Sequence, residues 1–104
     1  MTLMEKIKRT VHKIDEEIRD AETYARWAIE AKEYPEESRT YQALSSSELE
    51  HAGMLHNLVV GLIEKERAMN GEPPAGMLEA YDLIHEWQIE RVSDVRAMIQ
   101  LARE

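Results

Sequence analysis

Glu48 and His51 stand three residues apart in the stretch Ser45-Ser46-Ser47-Glu48-Leu49-Glu50-His51. On a helix that spacing puts a carboxylate and an imidazole on one face, where both can grip a single ion. An oxygen and a nitrogen donor together suit iron, manganese or zinc better than calcium or magnesium. With 17 Glu and four His in the chain, chance alone supplies about 0.6 such pairs, so the pattern carries little weight without its position. At heptad spacing Tyr41, Leu44, Glu48, His51, Leu55, Leu58 and Leu62 read as one seam, in which only these two residues break an apolar run. A carboxylate and an imidazole on a buried seam need a partner or a metal to offset their lost hydration.

The elements that must position them follow from two breaks, one at Tyr34-Pro35 and one from Asn70 to Gly76, where Gly and Pro cluster. Proline restricts the residue before it and suits the first helical position, so helix 1 is expected over about 3–33 and helix 2 over about 35–69. Asn70-Gly71 supplies a left-handed stop, and helix 3 is expected over about 75–102. Helix 1 carries a seam of Met4, Ile7, Val11, Ile14, Ile18, Ala21, Ala25 and Ala28. Helix 3 carries Met77, Tyr81, Ile84, Gln88, Val92, Val95 and Ile99. With the hairpin turn centred near Tyr34, residues whose numbers sum to about 68 lie level across it. That brings Glu17 opposite His51 and leaves Glu22 about one turn away, so either could complete a Glu plus Glu-x-x-His set.

The fold class expected is all-α: an antiparallel helical hairpin plus a third helix, in one domain of 104 residues. Apolar residues lie outside the seams as well, at Leu49, Ala52, Val60 and Ile63 on helix 2 and at Leu83, Trp87, Met98 and Leu101 on helix 3. Such a surplus points to self-association, as a homodimer or higher homo-oligomer that completes a four-helix bundle. Three ligands from one hairpin make half of the di-iron carboxylate arrangement, and two hairpins related by a dyad make the whole.

Composition removes other classes. The absence of Cys excludes thiolate metal sites, Cys nucleophiles and disulfide scaffolds. A net charge of -8 with no basic patch argues against nucleic acid and favours cations. The longest apolar run, Leu58 to Ile63, is too short to span a bilayer, and the start lacks the apolar stretch of a signal peptide, so the expected setting is cytoplasmic.

The segment Glu48-Leu49-Glu50-His51-Ala52-Gly53-Met54, with Pro35 ahead of it, and Glu16-Glu17 with Tyr24 following, resemble the ferritin-like superfamily, above all the short encapsulated ferritins. The resemblance runs from about Asp15 to Arg67. It implies a ferroxidase: two chains meet at a dyad, each giving two Glu and one His, and Fe²⁺ is oxidised by dioxygen. In that family and in rubrerythrins the first-helix ligand lies seven residues before a Tyr, which favours Glu17 over Glu22. Glu17, Glu48 and His51 are then the catalytic and metal-binding set, with Tyr24 orienting a ligand carboxylate, and iron as the metal with manganese or zinc as substitutes. Short members form rings inside a nanocompartment, making an encapsulin-type shell a further expected partner, although the tail Gln100–Glu104 shows no docking peptide of that kind.

Weaker candidates remain. Asp82-x-x-His85 imitates the motif but sits level with Gly61 to Glu64, far from Glu48. His12 and His56 are level across the hairpin and could face one another. Trp27 and Trp87 suit interface anchoring better than electron relay. Ser45, Ser46 and Ser47 have no neighbouring base and instead suit the close approach of another helix. The rival readings are a helical interaction protein whose polar pair sets register and a di-metal protein that handles peroxide.

Overall fold

Thr2 starts the first helix: its hydroxyl accepts the backbone N–H of Glu5 at 3.0 Å, satisfying a donor that the helix leaves free. The computed structural model describes residues 1–104 as three helices, α1 (Leu3–Glu30), α2 (Pro35–Asn70) and α3 (Ala75–Arg103), with no strand. The first helix ends three residues before the expected Glu33. Ala31 to Tyr34 are consumed in reversing the chain, with Lys32 N–H bonded to Ile29 and Tyr34 N–H to Ala31. Tyr34 adopts φ -120° and ψ 82°, outside the helical region, as a residue before proline must. At the far end of α2, Gly71 takes φ 77° and ψ -171°, a conformation open essentially to glycine alone. The expected bounds of α2 and α3 hold to within one residue.

The two long helices approach closely because their shared seam is built from small residues near the turn and larger ones away from it. Helix α1 buries Ile7, Ile14, Ile18, Ala21, Ala25 and Ala28, as its periodicity predicts, with Thr10 buried as well and the expected Met4 and Val11 only half-buried. Helix α2 does not follow its expected seam: it buries Ser38, Ser45, Ala52, Val59 and Leu62. Leu44 and Leu58 are 38% and 52% exposed. Compared with expectation, α2 is rotated by about 60° about its axis. The cause is steric: the fully buried Ala21 and Ala28 bring the two backbones close, and the positions facing them are taken by Ser45 and Ser38.

Helix α3 leans on α1 and barely meets α2. Val95 and Ile99 pack on Ala21 and Ala25, with Leu49 and Met98 alongside. Polar links fix its register: the Arg91 guanidinium pairs with Asp15, the Tyr81 hydroxyl donates to Met4 Sδ at 3.4 Å, and Arg103 Nε donates to Gln42 Oε1 at 3.2 Å. The result is a slab of 54 × 23 × 14 Å whose length is that of α2 itself, about 54 Å for its 36 residues. Only 17 of 104 residues are buried, which leaves much apolar surface open to association. No helix is long and apolar enough to cross a membrane.

Candidate metal centre

Two serine hydroxyls set the register on which the centre depends. Ser38 Oγ donates to the carbonyl of Ala28 at 2.8 Å, and Ser45 Oγ donates to that of Ala21 at 2.6 Å, both inside the α1–α2 seam. Glu17 lies one helical turn before Ala21, and Glu48 one turn after Ser45. Because the helices are antiparallel, a bond between Ala21 and Ser45 brings both carboxylates to one level, with His51 a further turn along the same face as Glu48.

There the three side chains converge. One donor atom from each of Glu17, Glu48 and His51 lies within 4.8 Å of the other two. His51 Nδ1 is 3.7 Å from Glu17 Oε2 and 3.7 Å from Glu48 Oε2. Neighbouring donors bonded to one ion at about 2.1 Å stand roughly 3 Å apart, so the two imidazole–carboxylate separations need to close by under about 1 Å, and no pair in the group by more than about 2 Å, to make a chelate. Glu17 is 12% exposed and Glu48 20%, while His51 is 53% exposed. The imidazole therefore stands at the mouth of the site and the carboxylates form its floor. Lys13 Nζ, 3.8 Å from Glu17 Oε1, partly offsets the paired negative charge.

The centre occupies the flank of the hairpin facing away from α3. Positions 49 and 51 project about 200° apart on a helix, and Leu49 is the one packed beneath α3. The expectation that Glu48 and His51 are buried on an apolar seam is thus corrected: they lie at its edge, because the seam has rotated toward Ser45 and Ala52. Their significance rests on convergence with Glu17 and no longer on burial.

The other candidates are separated from this group. Glu22 pairs with Arg26 at 3.1 Å on its own helix and takes no part. Tyr24 lies about two turns away, edge-on to Trp27 at 5.7 Å, and forms no hydrogen bond with a ligand carboxylate; Trp27 in turn meets Tyr41 at 5.6 Å. His12 approaches Glu16 at 3.5 Å and points into solvent, so it does not face His56. His56 stacks instead on His85 of α3, with ring centroids 4.5 Å apart. Ser45 fulfils the close-approach role expected of the serine run, its partner being α1 of the same chain. That role was readable in the heptad Ser38, Ser45, Ala52, Val59, a spacing that larger residues nearby obscured. Comparison with family models, curated proteins and solved structures finds no match to this chain, so the functional reading rests on these contacts.

Proposed function

We propose that the chain is a ferritin-like, iron-binding protein that oxidises Fe²⁺ with dioxygen at a dinuclear centre shared by two copies. The observation that carries this reading is the convergence of Glu17, Glu48 and His51 within 4.8 Å. Two carboxylates and one imidazole suit iron, and the carboxylates favour Fe³⁺ over Fe²⁺ electrostatically. Three protein donors per ion leave room for a further ligand. The same flank exposes Leu44, Met54 and Leu58 around the site, apolar surface on which a second hairpin could complete a four-helix bundle. Two such hairpins together offer four Glu and two His, the complement of a di-iron carboxylate centre.

In this arrangement Glu17 would hold one ion, Glu48 would be shared between the two, and His51 would give each ion its nitrogen donor. Two Fe²⁺ ions lose one electron each; dioxygen takes up both electrons and two protons and leaves as hydrogen peroxide. Iron is therefore the substrate, and the protein's part is to hold two ions close together and to stabilise the more highly charged product. A cytoplasmic setting and an encapsulin-type shell belong to the same reading.

Anaerobic Fe²⁺ titration tests it. Saturation is expected near one Fe²⁺ per chain, with iron tightening association of the copies. Glu17→Gln keeps the size but loses the charge and is expected to weaken binding at least about tenfold, whereas Glu22→Gln leaves it near the parent value. A chain that binds no iron yet associates normally would establish the helical interaction protein in its place. A larger loss in Glu22→Gln than in Glu17→Gln would overturn the first-helix assignment.

A further inference from the structure

We infer that the cleft between α2 and α3 is a second metal site, built from His56, Asp82, His85 and Gln88, that takes a divalent ion of the zinc type. It lies on the flank of the hairpin opposite the Glu17 group, and it does not depend on the ferroxidase reading.

The first observation is the meeting of two imidazoles from different helices. The His56 and His85 rings are 4.5 Å apart at their centroids and within 8° of parallel. Two imidazoles that share an ion at about 2.1 Å have centroids roughly 4.5–5.2 Å apart, for bond angles between square and tetrahedral. The helices already hold the rings at that separation; stacked in parallel planes their lone pairs do not converge, so taking an ion requires at least one ring and the Asp82 carboxylate to turn about their side-chain torsions. Asp82 and Gln88 lie three residues before and after His85, one turn to either side on the same helix face. All four line one cavity of about 310 Å³, whose remaining walls are apolar, among them Val11, Ile14, Val59 and Ile84.

The second observation is independent of the first. Gln88 is only 8% exposed, and its Nε2 has no hydrogen-bond partner. A buried amide without a partner costs stability, and native folds rarely tolerate one. The two ends of the amide exchange by a flip. One orientation offers an oxygen to an ion beside the imidazoles, the other a donor to a water on that ion, and either resolves the orphan.

The charged residues near the rings are Asp82 in the same cavity and Arg96 in the adjoining one, while α1 contributes only Val11, Ile14 and Ile18. Two imidazoles and one carboxylate hold Zn²⁺, Co²⁺ or Ni²⁺ more tightly than Fe²⁺ in the general affinity order, although the same donor set also serves non-haem Fe²⁺. An ion held from both sides would tie α3 to α2, two helices that otherwise barely meet.

The experiment uses the full chain carrying Glu48→Ala and His51→Ala, which silences the first centre. Zn²⁺ titrated calorimetrically at neutral pH is expected to bind at one ion per chain and to raise the thermal midpoint. Adding His56→Phe or His85→Phe, each of which keeps a ring in the stack, should weaken binding at least about tenfold and abolish the thermal shift. Zn²⁺ should also move the imidazole resonances of His56 and His85 while leaving those of His12 in place. Absence of zinc binding, equal affinity in the phenylalanine variants, or shifts confined to His12 would overturn the site. Since the background lacks the first centre, each of these outcomes leaves the iron chemistry to be judged separately.

Discussion

His51→Ala and Glu48→Ala should each bring aerobic Fe²⁺ oxidation down to the uncatalysed background. Losing an outer partner of a metal ligand already costs 10–100-fold in many sites, so losing the ligand itself is expected to cost about 10² or more. His51 is the sole nitrogen donor of the group, and Glu48 is one of its two carboxylates. Neither substitution should unfold the chain. Both positions lie at the edge of the seam, 53% and 20% exposed, and alanine is the strongest helix former. Circular dichroism should therefore be unchanged while the initial rate of Fe³⁺ formation collapses. Parent-like oxidation together with a changed distribution of oligomers would assign these residues to packing and reject the ferroxidase.

Ile18→Ala is expected to have the largest effect on stability. Ile18 is 1% exposed and belongs to the principal core cluster with Ile7, Ile14, Ala52, Val59 and Leu62. Truncating such a side chain costs about 2–5 kcal/mol, through lost burial and the cavity left behind. Against a total of about 5–15 kcal/mol for a domain this is a large fraction. The thermal midpoint should fall by about 10–30 °C, and the urea midpoint should fall with the slope unchanged. Leu58→Ala is the informative contrast. With the side chain 52% exposed, it should change the stability of the isolated chain by less than about 1 kcal/mol. Its effect should appear as weaker association of two copies. A cost of several kcal/mol at Leu58 and little at Ile18 would restore the seam that the heptad pattern first suggested.

That contrast also shows where the sequence was legible and where it was not. Pro35 and Gly71 act through backbone geometry alone, so the helix boundaries they impose could be read without tertiary information. The pairing of Glu17 with His51 followed from counting outward from a short turn, since antiparallel helices keep register over two or three turns. The heptad pattern misplaces the seam of α2 because hydrophobic size is not by itself a sign of burial. Where two helices nearly touch, the residues inside are the small ones, and Leu44 and Leu58 are left outside. The partner of His56 was hidden for another reason. His12 is level with it on α1, but the rotation of α2 turns His56 toward α3. The meeting with His85 then depends on the path of the chain through residues 71–74, which no periodicity describes.

The four-residue reversal at Ala31 to Tyr34 has a bearing on the order of assembly. Closing so short a connection costs little chain entropy, and helical hairpins of low contact order form quickly. Every donor of the carboxylate centre lies between residues 17 and 51, so the centre belongs to a unit that can close before α3 has joined it. During synthesis from the N-terminus, the ligands can meet while the last helix is still being made. The cleft holding His56 and His85 is necessarily the later product, since one of its walls, α3, follows the hairpin in the chain.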